Sequence, residues 1–267
     1  MTKSDWHLKL FRKSVLKQNK WNQLQSVLGN TTNLNCLDVG SDNGVISYLL
    51  RQNGGTWASA DMDDTAVASI TELVKENVYQ LDGGKTDFKD DEFDKIIIVD
   101  YLEHIENDKG FIDEAYRILK PDGELIINVP HITNSLLRKF RLAIGQTDEK
   151  HGHLRPGYSI ENIRKLVAGK FEVQLYRTYS RFFSEAIDTL ITFGYGIVNK
   201  DSAELEDGQG TKGVLVTSSD MGKHKKAFMM YSAIYPIVWL FGKLDRLLLF
   251  SRGYMMIVKT KITKPSV

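Results

Sequence analysis

The sequence predicts an α/β fold around a mostly parallel sheet, and three observations predict it. Apolar runs of strand length alternate with amphipathic segments from residue 34 to residue 131, the pattern of right-handed βαβ crossovers. The first of these runs, residues 36–39, passes straight through a glycine-bearing turn, Gly40-Ser41-Asp42-Asn43-Gly44, into a helix. The 267 residues are 42% hydrophobic, enough for a sizeable core in one large domain, or in one domain with an insertion.

Taken in order, residues 4–28 carry Trp6, Leu10, Phe11, Leu16, Trp21, Leu24 and Leu28 at roughly helical spacing, which predicts one amphipathic helix. Its polar face holds Lys9, Arg12, Lys13, Lys17 and Lys20 against Asp5 alone. That face reads as the solvated side of a helix packed on the core; contact with anionic head groups or a phosphorylated substrate is the alternative. Strands are expected at 34–39, 55–60, 77–82, 93–99 and 124–129, and helices near 44–53, 64–75 and 107–119. The acidic turn 89–92 leads into the fourth strand, and Lys120-Pro121-Asp122-Gly123 stops the third of these helices. Ser159 is a fitting N-cap for a further helix, and residues 171–179 and 253–261 read as two more strands.

Between those last strands, residues 182–250 form a helical insertion. Residues 227–242 carry no charge and include Phe228, Met229, Met230, Tyr231, Tyr235, Trp239 and Phe241; Lys223, His224, Lys225 and Lys226 precede them. The run is shorter than the roughly 20 residues of a membrane span, and Pro236 interrupts it. A cap over a pocket and a patch lying on a membrane surface both fit. Residues 201–213, polar and glycine-containing, read as a mobile loop. The resulting division is an N-terminal helix over 1–30, a core over 31–181 plus 251–263, and the insert over 182–250.

The net charge of +1 argues against a dedicated nucleic-acid binder, whose affinity needs concentrated basic charge. A lone cysteine, Cys36, excludes an internal disulfide framework and reads as a small buried hydrophobe. The N-terminal stretch has no apolar segment of the secretory type, so a reducing cytoplasm is expected, with peripheral placement at the inner face of a membrane as a variant.

Chemistry enters with the turn. Glycine lets backbone N–H groups and a helix N-terminus approach a ligand closely. Asp61 ends the next apolar run about 20 residues on, where a carboxylate takes both hydroxyls of a ribose. Further along stand Asp82-Gly83, Phe93-Asp94, Leu102-Glu103-His104 and Arg117-Ile118-Leu119-Lys120-Pro121-Asp122-Gly123. In this order, across roughly residues 34–131 and more weakly to about 178, the chain resembles the class I S-adenosylmethionine-dependent methyltransferases of the type 11 subgroup. It departs at Asp42, where relatives have glycine; the following Asn43 tolerates positive φ.

That resemblance implies a Rossmann-like, doubly wound, seven-stranded sheet, mostly parallel, with the last strand antiparallel at its edge. It also implies S-adenosyl-L-methionine as cofactor. Asp38, Gly40, Ser41 and Gly44 would meet its methionine end, and Asp61 the ribose. Met62 would lie against the adenine face, and Asp82 and Gly83 at the adenine edge. Asp100 and Tyr101, just past the fourth strand, would flank the reacting centre. As general base, His153 and His131 are the candidates, His153 because the run 151–158 resembles a segment that relatives place over the pocket. Arg155 would pair with an acidic group or phosphate of the substrate. Asp100, Glu103 and His104 would be splayed by helical spacing, so they read as a pocket wall and no metal is assigned.

The activity expected is in-line methyl transfer to a small or lipid-linked, apolar acceptor; membrane-surface contact through 223–250 and the basic N-terminal helix is the alternative to a cap and a solvated face. A non-catalytic S-adenosylmethionine-binding protein is the first alternative. The second, a nicotinamide-dependent oxidoreductase, expects G-x-G-x-x-G, whereas the second glycine here comes four residues after the first. The oligomeric state is open.

Overall fold

The structure is a computed structural model that describes residues 4–133, 135–145, 147, 152–198, 218–248 and 250–264. The chain runs through helices α1 (Ser4–Arg12) and α2 (Val15–Leu28), strand β1 (Asn35–Val39), α3 (Val45–Arg51), β2 (Thr56–Asp61), α4 (Asp64–Val74), β3 (Val78–Gln80) and β4 (Phe93–Val99). There follow α5 (Asp108–Ile118), β5 (Leu119–Pro130), α6 (Leu136–Ala143), α7 (Ile160–Val167), β6 (Phe171–Tyr179), α8 (Phe182–Val198), α9 (Ser218–Lys243) and β7 (Met255–Ile262).

The strands form one seven-stranded sheet in the order β3-β2-β1-β4-β5-β7-β6, a Rossmann-like arrangement that reverses direction between β1 and β4. β1 pairs in parallel with β2 and β4, and β4 with β5; β7 is antiparallel to both of its neighbours. The last strand is therefore not at the edge, as expected, but wedged between β5 and β6. Met255–Ile262 pairs with Pro130–Glu124 on one side and with Tyr179–Phe171 on the other.

Period-2 alternation sends residues to two cores. Leu37, Val39, Ile96, Ile98, Leu125 and Ile127 pack on one face with α5 and α7, through Phe111, Ile112, Ile118, Ile160 and Ile163. Cys36, Trp57, Ile97, Val99 and Ile126 pack on the other with Leu24, Val27 and Leu28 of α2 and Ile46 and Leu50 of α3. Burying each of those α2 side chains is worth about 1.5–3 kcal/mol. Cys36 sits in this second core, where burial pushes its thiol up to about 12.

The expected single helix over 4–28 is two. Ser14 stops α1 and caps α2, accepting from Lys17 N at 3.3 Å, while Gln18 Nε2 closes the end of α1 on Arg12 O at 2.8 Å. The expected turn at 120–123 lies inside β5. Leu119 opposes Phe93 and Glu124 opposes Lys95, so the four residues between them bulge from the ladder, with Asp122 in the left-handed region. Pro236 does not interrupt α9, which continues to Lys243. Among the described residues no helix is long and apolar enough to cross a membrane. The loop expected over 201–213 and His151 lie outside the described residues.

Candidate functional site

The carboxyl ends of β1, β2 and β4 meet at the point where strand order reverses, the place where open α/β sheets hold ligands. The turn after β1 is built by Asp38. Its buried carboxylate accepts from Ser41 Oγ at 2.5 Å, Ser47 Oγ at 2.6 Å and Ser59 Oγ at 2.7 Å, and lies 3.7 Å from Arg51. Burial raises the pKa of Asp38, and the three hydroxyls work against that rise. Asp38 and the Ser41 hydroxyl are thus engaged with each other and shape the turn.

Gly40 is required, since a Cβ there would collide with the Val99 carbonyl oxygen. At Gly44 a Cβ would stand 2.7 Å from Ile70 Cα, so this glycine lets α3 begin against α4. The positive φ between them falls on Asp42, at +52°, and not on Asn43. In that conformation the Asp42 amide turns toward Asp61 Oδ2 at 3.4 Å, and its own carboxylate looks across the cleft at Lys17 Nζ, 3.9 Å away.

Lys17 and Lys20 are the residues that the sequence reading placed elsewhere. Both belong to the basic face of α2, read as solvated, yet that face leans over the turn. Together with Phe11 they line a cavity of about 170 Å³ with Gly40, Ser41, Asp42, Asn43, Val99 and Asp100. Lys20 is ion-paired with Asp100. Asp100, itself at φ +46°, is held by Asn128 Nδ2 at 2.9 Å, and Asn128 Oδ1 accepts from Tyr179 Oη at 2.5 Å. The two lysines behave differently. Burial lowers the pKa of Lys17, whereas at Lys20 the Asp100 carboxylate outweighs burial and raises it. The cleft therefore offers two ammonium groups and two carboxylates within one small volume.

Asp61 ends β2 nearly out of solvent, with Oδ1 at 3.3 Å from Asp63 N. Met62 and Asp82 line a second, larger cavity of about 950 Å³ with Tyr79, Leu81 and Phe88. Gly83 does not join them; it opens on a separate depression with Gly84, Asn107 and Gly110. Tyr101 lies against Gly40 of the turn. It is 1% exposed and its ring packs on Phe111 at 4.8 Å. Its hydroxyl is buried with no hydrogen-bond partner among the described residues. Burial pushes that group up strongly, and the charges of Asp61 and Asp82 add to the effect.

The histidines stand apart from both cavities. His131 joins β5 to the segment before β7, with Nδ1 2.8 Å from Gly253 O and its backbone N donating to Tyr254 O at 2.8 Å. His153 packs edge-to-face on His104, with ring centroids 4.7 Å apart. Arg155 is not offered to a substrate. It is ion-paired with Asp108 and donates to Tyr158 Oη and to the carbonyls of Leu102, Ile105 and Glu106. It clasps the loop after β4.

Residues 37–127 match the sequence profile of the type 11 methyltransferase domain family, described as "Methyltransferase domain". Over 118 residues the chain is 29% identical to the demethylmenaquinone methyltransferase of Tropheryma whipplei strain Twist, a stretch that covers 43% of this chain and 49% of that one. Over another 118 it is 27% identical to the ubiquinone biosynthesis O-methyltransferase of Actinobacillus pleuropneumoniae serotype 5b, covering 40% and 49%. The chain spans about half the length of the curated relatives it matches. Among solved structures, the [4+2]-cyclase SpnF superposes with a TM-score of 0.58 at 16% identity, over 94% of this chain and 84% of that one, a likeness of fold.

Proposed function

Because residues 37–127 are a class I S-adenosylmethionine-dependent methyltransferase domain of the type 11 family, we propose that the chain transfers a methyl group from that cofactor to a small, apolar acceptor. The family match sets aside the nicotinamide-dependent alternative. S-adenosylmethionine, when bound, supplies an electrophilic methyl on a sulfonium, and its displacement needs little covalent help from protein.

One observation carries the assignment of residues: opposite charges converge in pairs beside the glycine turn. The methionine end of the cofactor is a zwitterion. Lys17 and Lys20 suit its carboxylate, Asp42 and Asp100 its ammonium, and the Lys20–Asp100 pair divides between them on binding. The turn from Gly40 to Gly44 leads toward Asp61, where the Asp42 amide meets its carboxylate, and that carboxylate suits two vicinal hydroxyls. Met62 and Asp82 suit a planar base with an exocyclic amine. The partnerless hydroxyl of buried Tyr101, in the field of Asp61 and Asp82, supports the same fit, since a polar ligand passing between them would satisfy it. With the donor held, the remaining tasks are alignment of the acceptor and exclusion of water. α2 performs the second by covering the turn.

The acceptor's apolar character rests on the insert. α9 packs one face on the N-terminal helices: Tyr231 Oη donates to Lys13 O at 2.8 Å, and Gln18 Nε2 donates to Tyr235 Oη at 2.7 Å. Its other face leaves Ile234, Ile237 and Leu240 exposed at helical spacing, and Leu190 and Ile191 of α8 are exposed as well. The relatives named above act on quinone-type molecules by their names. We infer a lipid-linked acceptor and a membrane-surface contact through this face.

Calorimetry with S-adenosylhomocysteine tests the cofactor, and label transferred from methyl-tritiated cofactor into lipid and aqueous extracts tests the reaction. Binding with Asp61→Ala weaker by about tenfold or more, ~1.4 kcal/mol, and label in the lipid fraction are expected. No heat with the folded chain refutes the proposal, and binding without transfer to either fraction leaves a non-catalytic binder.

A further inference from the structure

Asp100 is held by two residues that methyl transfer, as described, leaves without a role. It stands in the left-handed region, where a residue other than glycine persists only when its surroundings fix it. Asn128, on β5 next to Asp100 and opposite Val99, fixes it twice. Its backbone oxygen accepts from Asp100 N at 2.9 Å, and its side-chain Nδ2 donates to Asp100 Oδ1 at 2.9 Å. The other carboxylate oxygen, Oδ2, carries the ion pair with Lys20 in the cleft.

The carboxylate sets the direction of each bond behind it. Asp100, ionised in its pair with Lys20, only accepts, so the Asn128 amide has its nitrogen toward it and its oxygen turned away. That oxygen needs a donor, because Asn128 is fully buried. Tyr179 Oη supplies it at 2.5 Å. Tyr179 ends β6, two strands away, and its ring lies in the second core with Met255 and Ile257 of the intervening β7. Burial, with the charge of Asp100, pushes its hydroxyl well above the ordinary tyrosine range, so it keeps the proton that it donates.

We propose that Asn128 and Tyr179 are positioning residues of the cofactor cleft: they hold Asp100 by one oxygen while the other exchanges Lys20 for the ammonium of the methionine end. This rests on the methyl-transfer reading and deepens it. When the Lys20–Asp100 pair divides, a carboxylate that is three-quarters buried has to stay aimed at the cleft without Lys20, and the bond from Asn128 keeps it there. Both supporting groups are ordered before the ligand arrives, so little side-chain freedom is lost at this contact on binding. Without the Tyr179 hydroxyl the amide oxygen is buried and unpaired, a penalty relieved only by a rotation that takes the amide nitrogen off Asp100.

The test is calorimetry on the full-length chain with S-adenosylhomocysteine and with 5′-methylthioadenosine, which lacks the methionine end. Tyr179→Phe removes one oxygen and keeps the ring. It is expected to weaken the first ligand about fivefold or more and the second less than about twofold. Asp100→Gly suits the positive φ and removes the group through which Tyr179 acts. On that background Tyr179→Phe is expected to add less than about twofold. Equal weakening of both ligands, unchanged affinity for S-adenosylhomocysteine, or a full additional loss beside Asp100→Gly overturns the proposal. Should Tyr179→Phe not fold, Asn128→Leu is read by the same comparison. No heat from the unsubstituted chain with S-adenosylhomocysteine removes the function proposed above and this inference with it; heat there without the ligand-selective loss removes this inference alone.

Discussion

Lys20 shows how a residue's meaning changes between chain and fold. In the sequence it is one of five basic side chains on a helix face, where solvation is the ordinary fate. In the structure it reaches Asp100 at the end of β4. If it holds the carboxylate of the methionine end, Lys20→Met weakens S-adenosylhomocysteine binding about tenfold or more, ~1.4 kcal/mol. Binding of 5′-methylthioadenosine, which lacks that end, stays unchanged. Calorimetry with both ligands checks this, and an equal loss for the two would mean that Lys20 acts through the fold. Asp38 teaches the reverse. Its place in the turn was legible, but its three serine partners come from the turn, from α3 and from β2, and their convergence has no local signature.

At the scale of elements, the Arg117 signature is a clasp between α5 and the segment before β4. Arg117 donates to Glu114 Oε1 at 2.6 Å, to Asp90 at 2.5 Å and to Phe88 O at 2.8 Å, and Glu114 also accepts from Thr86 N at 2.7 Å. Burial opposes ionisation of Glu114, but the bonds from Arg117 and Thr86 outweigh it and lower its pKa. A carboxylate lowered on folding contributes stability above its unfolded value, about 4.3, and loses it as pH falls through the folded value. Glu114→Gln is therefore expected to cost about 2 kcal/mol at pH 7, by urea midpoint, and much less at pH 3. A gap of the same size at both pH values would contradict the ionic account. Helix breaks were less legible. The N-cap at Ser14 is a recognisable signal, but the apolar spacing carries across it, and periodicity alone joined α1 to α2.

For the whole molecule, the insert sets an unusual surface. Ile237 and Leu240 are 71% and 62% exposed, in a helix whose opposite face is anchored to the N-terminal helices. A membrane contact there predicts co-sedimentation with anionic phosphatidylglycerol vesicles, reduced about fivefold or more in Ile237→Glu/Leu240→Glu, since a charge placed in the apolar layer costs roughly 2.5 kcal/mol or more. Unchanged sedimentation of the double variant would place the contact elsewhere. The same layout makes α2 shared structure: Leu24, Val27 and Leu28 bury in the sheet's second core while Lys17 and Lys20 face the cleft, so the proposed cofactor contact and the anchoring of α9 fall on one helix.

The strands, their alternation, the glycine turn and the acidic residue that ends β2 were determined by the sequence itself, because period-2 burial and a glycine-bearing strand-to-helix turn are local patterns. The order of the last two strands was decided only by tertiary structure, since β7 could pair on either side and its position depends on which edges remain open. The same holds for the ammonium groups of α2 over the turn and for the meeting of His104 with His153, 49 positions apart in the chain. Such contacts join segments far apart in sequence, and no periodicity within either segment encodes the distance between them.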